Sequence, residues 1–164
     1  MTPLIYIDRL EGMEAPEDED FNRWVLGALH GAGIAQSVNA PEVSIRITDE
    51  TEMAELNTTY RGKIGPTNVL SFPADLPEDI DAELLGDIVI AAPVVFQEAQ
   101  QQNKTVIAHW AHLTVHGTLH LLGHDHIGDD EAAVMEALEI QILAKLGFND
   151  PYQSTVENSK EEAP

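Results

Sequence analysis

The segment TVIAHWAHLTVHGTLHLLGHDH, residues 105–126, determines much of how this chain folds and where its chemistry lies. From Thr105 to Leu122, apolar residues occur nearly all round a helix, a pattern typical of a helix buried in the middle of a domain. Histidines interrupt this apolar surface and form one stripe that spans roughly 80° of the helix circumference. The segment therefore predicts a central helix with imidazoles along one side, namely His109, His112, His116 and His120.

The end of this stripe predicts a metal site. His116 and His120 are four residues apart, so their side chains leave the same face of the helix, one turn from each other. Gly123 can adopt a left-handed conformation at low cost, which would end the helix and let the chain bring His126 to the same point. Three neutral imidazoles without cysteine suit one zinc ion per chain and leave a fourth position for water. Another divalent transition metal, such as nickel, copper or iron, would also suit imidazole ligands.

The first two histidines of the stripe, His109 and His112, are expected to have a different role. A buried imidazole without a partner costs free energy, and the ligands of a metal are usually held by hydrogen-bonded neighbours. We therefore expect both side chains to pack or to form hydrogen bonds beside the metal site rather than to bind the ion.

The composition indicates one soluble globular domain. The chain has 164 residues, of which 43% are hydrophobic, enough for one packed core. It contains no cysteine, no signal-peptide pattern and no run of about 18 apolar residues, so we expect a cytoplasmic protein that makes no membrane contact. We assign residues 1–152 to the domain and residues 153–164 to a flexible polar tail.

The net charge of −21 argues by itself against a nucleic-acid partner, because binding phosphates normally needs a basic surface. Many of the acidic residues, however, crowd the segments 11–20 and 75–87, whereas Arg61 and Lys63 are only two positions apart. A small positive site on an acidic body is therefore expected. Arg46, Lys63 and Ser71 are the candidate substrate contacts, and an acidic surface would also favour basic protein partners.

Hydrophobic periodicity predicts a single α+β domain, in which a mixed four-stranded sheet packs with about five helices. The metal site is expected on the central helix and in the loop after it. The periodicity does not determine the order of the strands. Strands are predicted at residues 4–7, 43–47, 69–72 and 86–91, and helices at residues 21–30, 50–60, 93–102, 105–122 and 129–145.

Three segments of the chain resemble a known family. They are residues 57–73 (NTTYRGKIGPTNVLSFP), 85–90 (LGDIVI) and 112–126 (HLTVHGTLHLLGHDH). The histidine run and the segment PTNVLSF are specific, and together they resemble the YbeY family of bacterial endoribonucleases, also called rRNA maturation factors. The similarity continues through Met135, Glu136, Glu139 and Gly147.

This resemblance implies a zinc-dependent endoribonuclease that cleaves single-stranded RNA. It implies roles in rRNA processing, including maturation of the 3′ end of the small-subunit (16S) rRNA, and in ribosome quality control. His116, His120 and His126 would bind the zinc ion, and Arg61 would take part in catalysis together with His116. The implied partners are ribosomal RNA, the small ribosomal subunit with one of its proteins, and the Era GTPase. His124 replaces the tyrosine that is usual in the family, which removes any role of that phenol and makes His124 a candidate additional ligand.

Two alternatives remain open. The three predicted ligands and Gly123 reproduce the histidine and glycine frame of the metzincin protease motif H-E-x-x-H-x-x-G-x-x-H. Position 117 is glycine where that motif has its glutamate, so a protease would need another general base, for which Asp125 is a candidate. In the second alternative, the protein is a ribosome-assembly binding factor whose metal is structural, with Asp125 or His124 in the fourth position.

Overall fold

The computed structural model describes residues 4–34, 41–74, 84–124 and 128–152. Within these ranges, the predicted α+β class and each predicted strand and helix are confirmed, with bounds that differ by a few residues. His126, Asp125, the tail 153–164 and most of the second acidic segment lie outside the described residues. The elements are β1 (Leu4–Arg9), α1 (Asp18–Gly31), β2 (Glu42–Thr48), α2 (Glu50–Arg61), β3 (Val69–Pro73), β4 (Leu84–Ala91), α3 (Ala92–Gln101), α4 (Val106–Leu121) and α5 (Asp129–Lys145).

The sheet has the strand order β1-β2-β4-β3. β1 runs parallel to β2 and β2 parallel to β4, whereas β3 runs antiparallel to β4 and forms one edge. α4 lies close to this edge, where the hydroxyl of Ser71 on β3 donates a hydrogen bond of 3.1 Å to the carbonyl of Gly117. The strand order thus brings the histidine-bearing part of α4 next to β3.

The main core lies between one face of the sheet and the helices α1, α4 and α5. On β2, Val43, Ile45 and Ile47 alternate with polar residues and are buried, as a half-buried strand requires. α4 is buried over most of its length, which confirms its predicted central position. α1 contributes the largest buried side chains, Phe21 and Trp24, and the remaining core residues include Ile88, Ile90, Val95, Leu119, Met135, Ile142 and Leu143.

On the opposite face, α2 covers β3 and β4 with a smaller core around Met53. The side chain of Asp49 accepts a hydrogen bond of 2.9 Å from the backbone N–H of Glu52 and caps the first turn of α2. Gly62, with φ 66°, ends the helix in a left-handed conformation. Arg61 therefore sits at the last position of α2, beside β3. None of the helices in the described part of the chain is long and apolar enough to cross a membrane.

Candidate functional site

The histidines of α4 form a continuous stripe, as predicted. Neighbouring ring centroids are 6.0 Å apart for His109 and His112, 6.1 Å for His112 and His116, and 4.5 Å for His116 and His120. Exposure increases along the stripe: His109 is 2% exposed and His112 9%, whereas the side chain of His116 is 21% exposed. The helix therefore carries its imidazoles from the core to the surface.

His116 and His120 turn ring nitrogens toward each other. Their Nε2 atoms are 3.0 Å apart, a distance at which two lone pairs repel unless a proton or a cation lies between them. Two imidazole nitrogens bound tetrahedrally to zinc at about 2.0–2.1 Å would be about 3.3 Å apart. This pair of donor atoms therefore fits a metal ion of the kind that imidazoles bind.

Glu139 of α5 lies beneath this pair, and its side chain is only 1% exposed. Its Oε1 is 3.0 Å from Nδ1 of His116, and its Oε2 is 2.6 Å from Nε2 of His112. The hydroxyl of Tyr152, in the segment after α5, donates a hydrogen bond of 2.8 Å to the same Oε2. One buried carboxylate thus joins two histidines of α4 to the C-terminal part of the domain.

Electrostatics keep this carboxylate ionised. Burial raises the pKa of Glu139, but the hydrogen bonds with His112 and His116 outweigh it and lower the pKa to about 2. Burial also lowers the pKa of His112, against the opposing hydrogen bond with Glu139. Burial, together with the negative charge of Glu139, raises the pKa of Tyr152, so its phenol remains a neutral donor.

The residues around Glu139 could themselves hold a metal ion. His112, His116 and Glu139 each place one ligand atom so that these atoms lie within 4.8 Å of one another. A donor set of imidazoles and one carboxylate suits a divalent transition metal. His126, the third predicted ligand, lies outside the described residues, so the triad of His116, His120 and His126 stays a prediction.

A groove of about 660 Å³ opens over His116 and His120. Arg61 and Lys63 also line it, and none of the described residues that line it is acidic. Arg61 donates a hydrogen bond of 3.3 Å from Nη2 to the carbonyl of Ser71. Neither Arg61 nor Lys63 belongs to an ion pair within the described ranges, unlike Arg9, Arg23 and Arg46. The groove is thus a local positive site on an acidic chain.

The other two predicted substrate contacts, Ser71 and Arg46, are less accessible to a ligand in the groove than Lys63. Ser71 lines the groove but is only 8% exposed, and its hydroxyl is engaged by Gly117. The structure does not bring Arg46 to the groove. Arg46 points away from the face of β2 that α4 covers, and its guanidinium binds Asp8 at 2.8 Å and Glu52 at 3.0 Å. His124, the candidate additional ligand, also lines the groove.

His109 forms a hydrogen bond, as expected, but with a residue of α3 rather than beside the predicted metal ligands. Its Nε2 is 2.8 Å from Oε1 of Glu98 on α3. The side-chain amide of Asn68 donates to the same oxygen at 2.9 Å, and Asn68 also lines the groove next to β3. His109 therefore helps to hold the start of β3, at a distance from the facing nitrogens of His116 and His120.

No motif of the sequence predicts a role for Glu139 or Tyr152. A signal for Glu139 was present, because Met135, Glu139, Ile142 and Leu143 follow the spacing i, i+4, i+7, i+8 of a buried helix face. A carboxylate within such a stripe needs a partner, and the imidazoles of α4 supply it. Tyr152 follows the end of α5 and has no comparable periodic signal.

A second groove, of about 540 Å³, contains no histidine and no basic residue among its lining residues. It is mainly apolar, with Phe96, Ile107 and Trp110 in its wall. The groove over His116 and His120 is therefore the better candidate for catalysis.

Comparisons with known proteins agree with this fold. The solution structure of TM1509 from Thermotoga maritima (VT1, a NESGC target protein) has the same fold as this chain, with a TM-score of 0.55. The similarity covers 92% of this chain and 99% of that chain at 22% sequence identity, so it shows the fold alone. The sequence model of the family described as Endoribonuclease YbeY matches residues 9–147, from the end of β1 to just beyond α5. This chain therefore belongs to the endoribonuclease YbeY family.

Proposed function

We propose that this protein is a metal-dependent endoribonuclease that cleaves single-stranded ribosomal RNA in the groove over His116 and His120. One observation carries the proposal: two facing imidazoles lie in the same groove as Arg61 and Lys63, and no acidic residue is among its described lining residues. On a chain with a net charge of −21, such a groove is where a phosphate backbone can approach without strong repulsion. The physiological reactions we propose are maturation of the small-subunit rRNA 3′ end and ribosome quality control in the cytoplasm.

In this proposal, His116 and His120 hold the metal together with His126. A divalent ion held there, which we propose to be zinc, would lower the pKa of water and polarise a phosphoryl oxygen. The imidazole donor set supports this choice, because nitrogen ligands suit zinc and other divalent transition metals.

Arg61 is proposed to hold the scissile phosphate. Its guanidinium is always charged and presents its N–H groups as a planar fork, which matches phosphate oxygens and offsets charge that develops in the transition state. The contact with the carbonyl of Ser71 restrains the side chain beside β3. Lys63 adds a second positive charge to the same groove, where it can bind a neighbouring phosphate.

The charge of the surface outside the groove indicates which class of protein could bind there. The acidic residues outside the groove favour basic proteins, and ribosomal proteins are basic. We therefore propose contact with a protein of the small ribosomal subunit. An interaction with the Era GTPase is proposed from the family resemblance alone.

The protease alternative has less support. A Cβ atom on Gly117 would lie 3.0 Å from Cγ2 of Ile88 and 3.2 Å from Oγ of Ser71. The position that carries glutamate in metzincins therefore faces the sheet, where a longer side chain has no room. This chain shares the histidine spacing of those proteases. At position 117, however, α4 packs against β3 and β4, so the glutamate that is their general base could not be accommodated there.

The test is to measure bound metal and RNA cleavage in parallel for the parent protein, His120→Ala and Arg61→Ala, with a single-stranded rRNA fragment as substrate. We expect His120→Ala to lose metal and cleavage together, because a metal ligand is removed. Arg61→Ala is expected to keep its metal and to lose cleavage by about 100-fold or more, since a charge that stabilises the transition state is removed.

The matched control is Arg23→Ala, which removes an exposed arginine that pairs with Asp20 on α1 and should leave both measurements unchanged. A peptide substrate is assayed beside the RNA. Cleavage of RNA by metal-free His120→Ala protein would indicate a contaminating nuclease and contradict the proposal. Cleavage of the peptide in place of RNA would favour the protease alternative, and metal binding without any cleavage would favour a structural metal.

A further inference from the structure

Glu139 has an unusual position for a carboxylate. It lies on the buried face of α5 between Met135 and Ile142, and no lysine or arginine forms an ion pair with it among the described residues. Burying a charge is costly unless several hydrogen bonds compensate for it. Here the donors come from three groups, His112, His116 and Tyr152. Glu139 is therefore held by the histidine stripe, and its contact with His116 points to a role at the predicted metal site.

The geometry at His116 indicates that role. The two nitrogens of its ring face two different groups: Nδ1 is 3.0 Å from Oε1 of Glu139, and Nε2 is 3.0 Å from Nε2 of His120. A carboxylate oxygen accepts hydrogen bonds, so this geometry makes Nδ1 of His116 the donor to Oε1 of Glu139. The lone pair of Nε2 is then directed toward His120 and the groove.

We propose that Glu139 is a positioning residue of the metal site: it fixes the tautomer and the orientation of His116, so that Nε2 is available to the ion. His112 and Tyr152 hold the other carboxylate oxygen and thereby fix Glu139 itself. This inference rests on the metal site of the proposed function. Carboxylates that accept the second N–H of a metal-bound histidine commonly strengthen metal binding by about 10- to 100-fold.

A different arrangement would make Glu139 a ligand, since His112, His116 and Glu139 also place their ligand atoms within 4.8 Å of one another. The two arrangements use opposite nitrogens of His116. If Glu139 is a ligand, Nδ1 of His116 binds the ion and Nε2 carries the proton. If Glu139 is a positioning residue, Nδ1 carries the proton and Nε2 binds the ion.

The first experiment distinguishes these arrangements without activity. Imidazole ¹⁵N NMR spectra of the full chain, without metal and with Zn²⁺ added, identify the protonated nitrogen of His116. We expect a protonated Nδ1 in both states, with Zn²⁺ changing the Nε2 resonance. A protonated Nε2, or a change at Nδ1 on addition of Zn²⁺, would overturn the proposal.

The second experiment measures Zn²⁺ affinity by competition with a chelating dye for Glu139→Ala, Glu139→Gln and the matched control Glu136→Gln, which alters an exposed residue of the same helix. Glu139→Ala should weaken Zn²⁺ binding by about 10- to 100-fold while the stoichiometry stays unchanged. Glu139→Gln should recover most of this loss, because its amide oxygen can still accept a hydrogen bond from Nδ1. A loss in Glu139→Gln as complete as that in His120→Ala would show that Glu139 is a ligand.

Circular dichroism establishes whether each variant is folded. If Glu139→Ala does not fold, Tyr152→Phe serves in its place, since it removes one donor to Glu139 with little change in volume, and it should weaken Zn²⁺ binding by a smaller factor. Because no RNA enters these measurements, their outcome is separate from that of the cleavage assay. A chain that binds Zn²⁺ in this Glu139-dependent way but cuts no RNA would refute the proposed function and leave the positioning role intact.

Discussion

Gly117 lies between His116 and Thr118 on the side of α4 that touches the sheet. The close approach of α4 to β3 and β4 depends on the absence of a side chain there, because a Cβ atom at this position would lie within about 3 Å of Ile88 and Ser71. His116, the neighbour of Gly117, lines the groove together with His120 and Arg61. Gly117 therefore lets α4 pack closely on the sheet beside the groove.

We expect Gly117→Glu to destabilise the fold by about 3 kcal/mol or more, because it forces a longer, charged side chain against a packed sheet. Equilibrium unfolding in urea measures the effect. Ala133→Glu, which adds the same side chain at an exposed position of α5, should change stability by no more than about 0.5 kcal/mol. A Gly117→Glu protein with the urea midpoint of the parent would contradict the packing argument.

At the scale of elements, β4 packs closely against β3 and against the end of α4. Gly86 of β4 adopts φ +143°, and a Cβ atom there would lie 2.3 Å from the carbonyl oxygen of Phe72 and 2.9 Å from Cα of Pro73. Leu121, the last residue of α4, would also be 2.9 Å away, measured to its Cδ2 atom. Gly86 therefore lies both where β3 pairs with β4 and where the end of α4 packs on these strands.

Gly86→Ala is expected to lower the free energy of unfolding by about 2–5 kcal/mol, since it adds a clash with backbone atoms to the strain of a positive φ. Gly33→Ala measures strain without a clash. Gly33 also has a positive φ, of +78°, but nothing lies within 4 Å of its Cβ position, so the strain of about 1–2 kcal/mol is its whole cost, and alanine is more strained still at φ +143°. Equal losses in the two variants, measured by urea unfolding, would show that the contact with β3 is unimportant.

The charge of the whole molecule limits how it can bind RNA. With a net charge of −21, the body repels phosphate over about a Debye length, roughly 10 Å at 0.1 M salt. The groove over His116 and His120 offers Arg61 and Lys63 as its basic residues within the described ranges. If RNA binds in this groove as proposed, its affinity should come from few phosphate contacts.

The salt dependence of RNA binding should be correspondingly shallow. For two phosphate contacts to a single strand, we expect a slope of log K against log salt of about −1.4, and Lys63→Ala should make it less steep by about 0.7. Fluorescence anisotropy with a labelled single-stranded RNA and metal-free protein measures the slope. Lys145→Ala, at the far end of α5, is the control and should not alter it. A slope steeper than about −3 would require basic contacts beyond those of the groove.

The sequence by itself determined the α+β class, the bounds of the helices and strands to within a few residues, and the stripe of histidines on α4. These features depend on periodicity and capping, which are local and can be read from neighbouring residues. The family resemblance also pointed to Arg61 before any contact was known.

Only the tertiary structure decided the strand order, the meeting of Arg61 with His116 in one groove, the separation of Arg46 from that groove, and the place of Glu139 beneath the histidines. Each of these depends on contacts between residues far apart in the chain. Such contacts depend on which helices cover each face of the sheet. A local sequence pattern does not specify which helix covers which face.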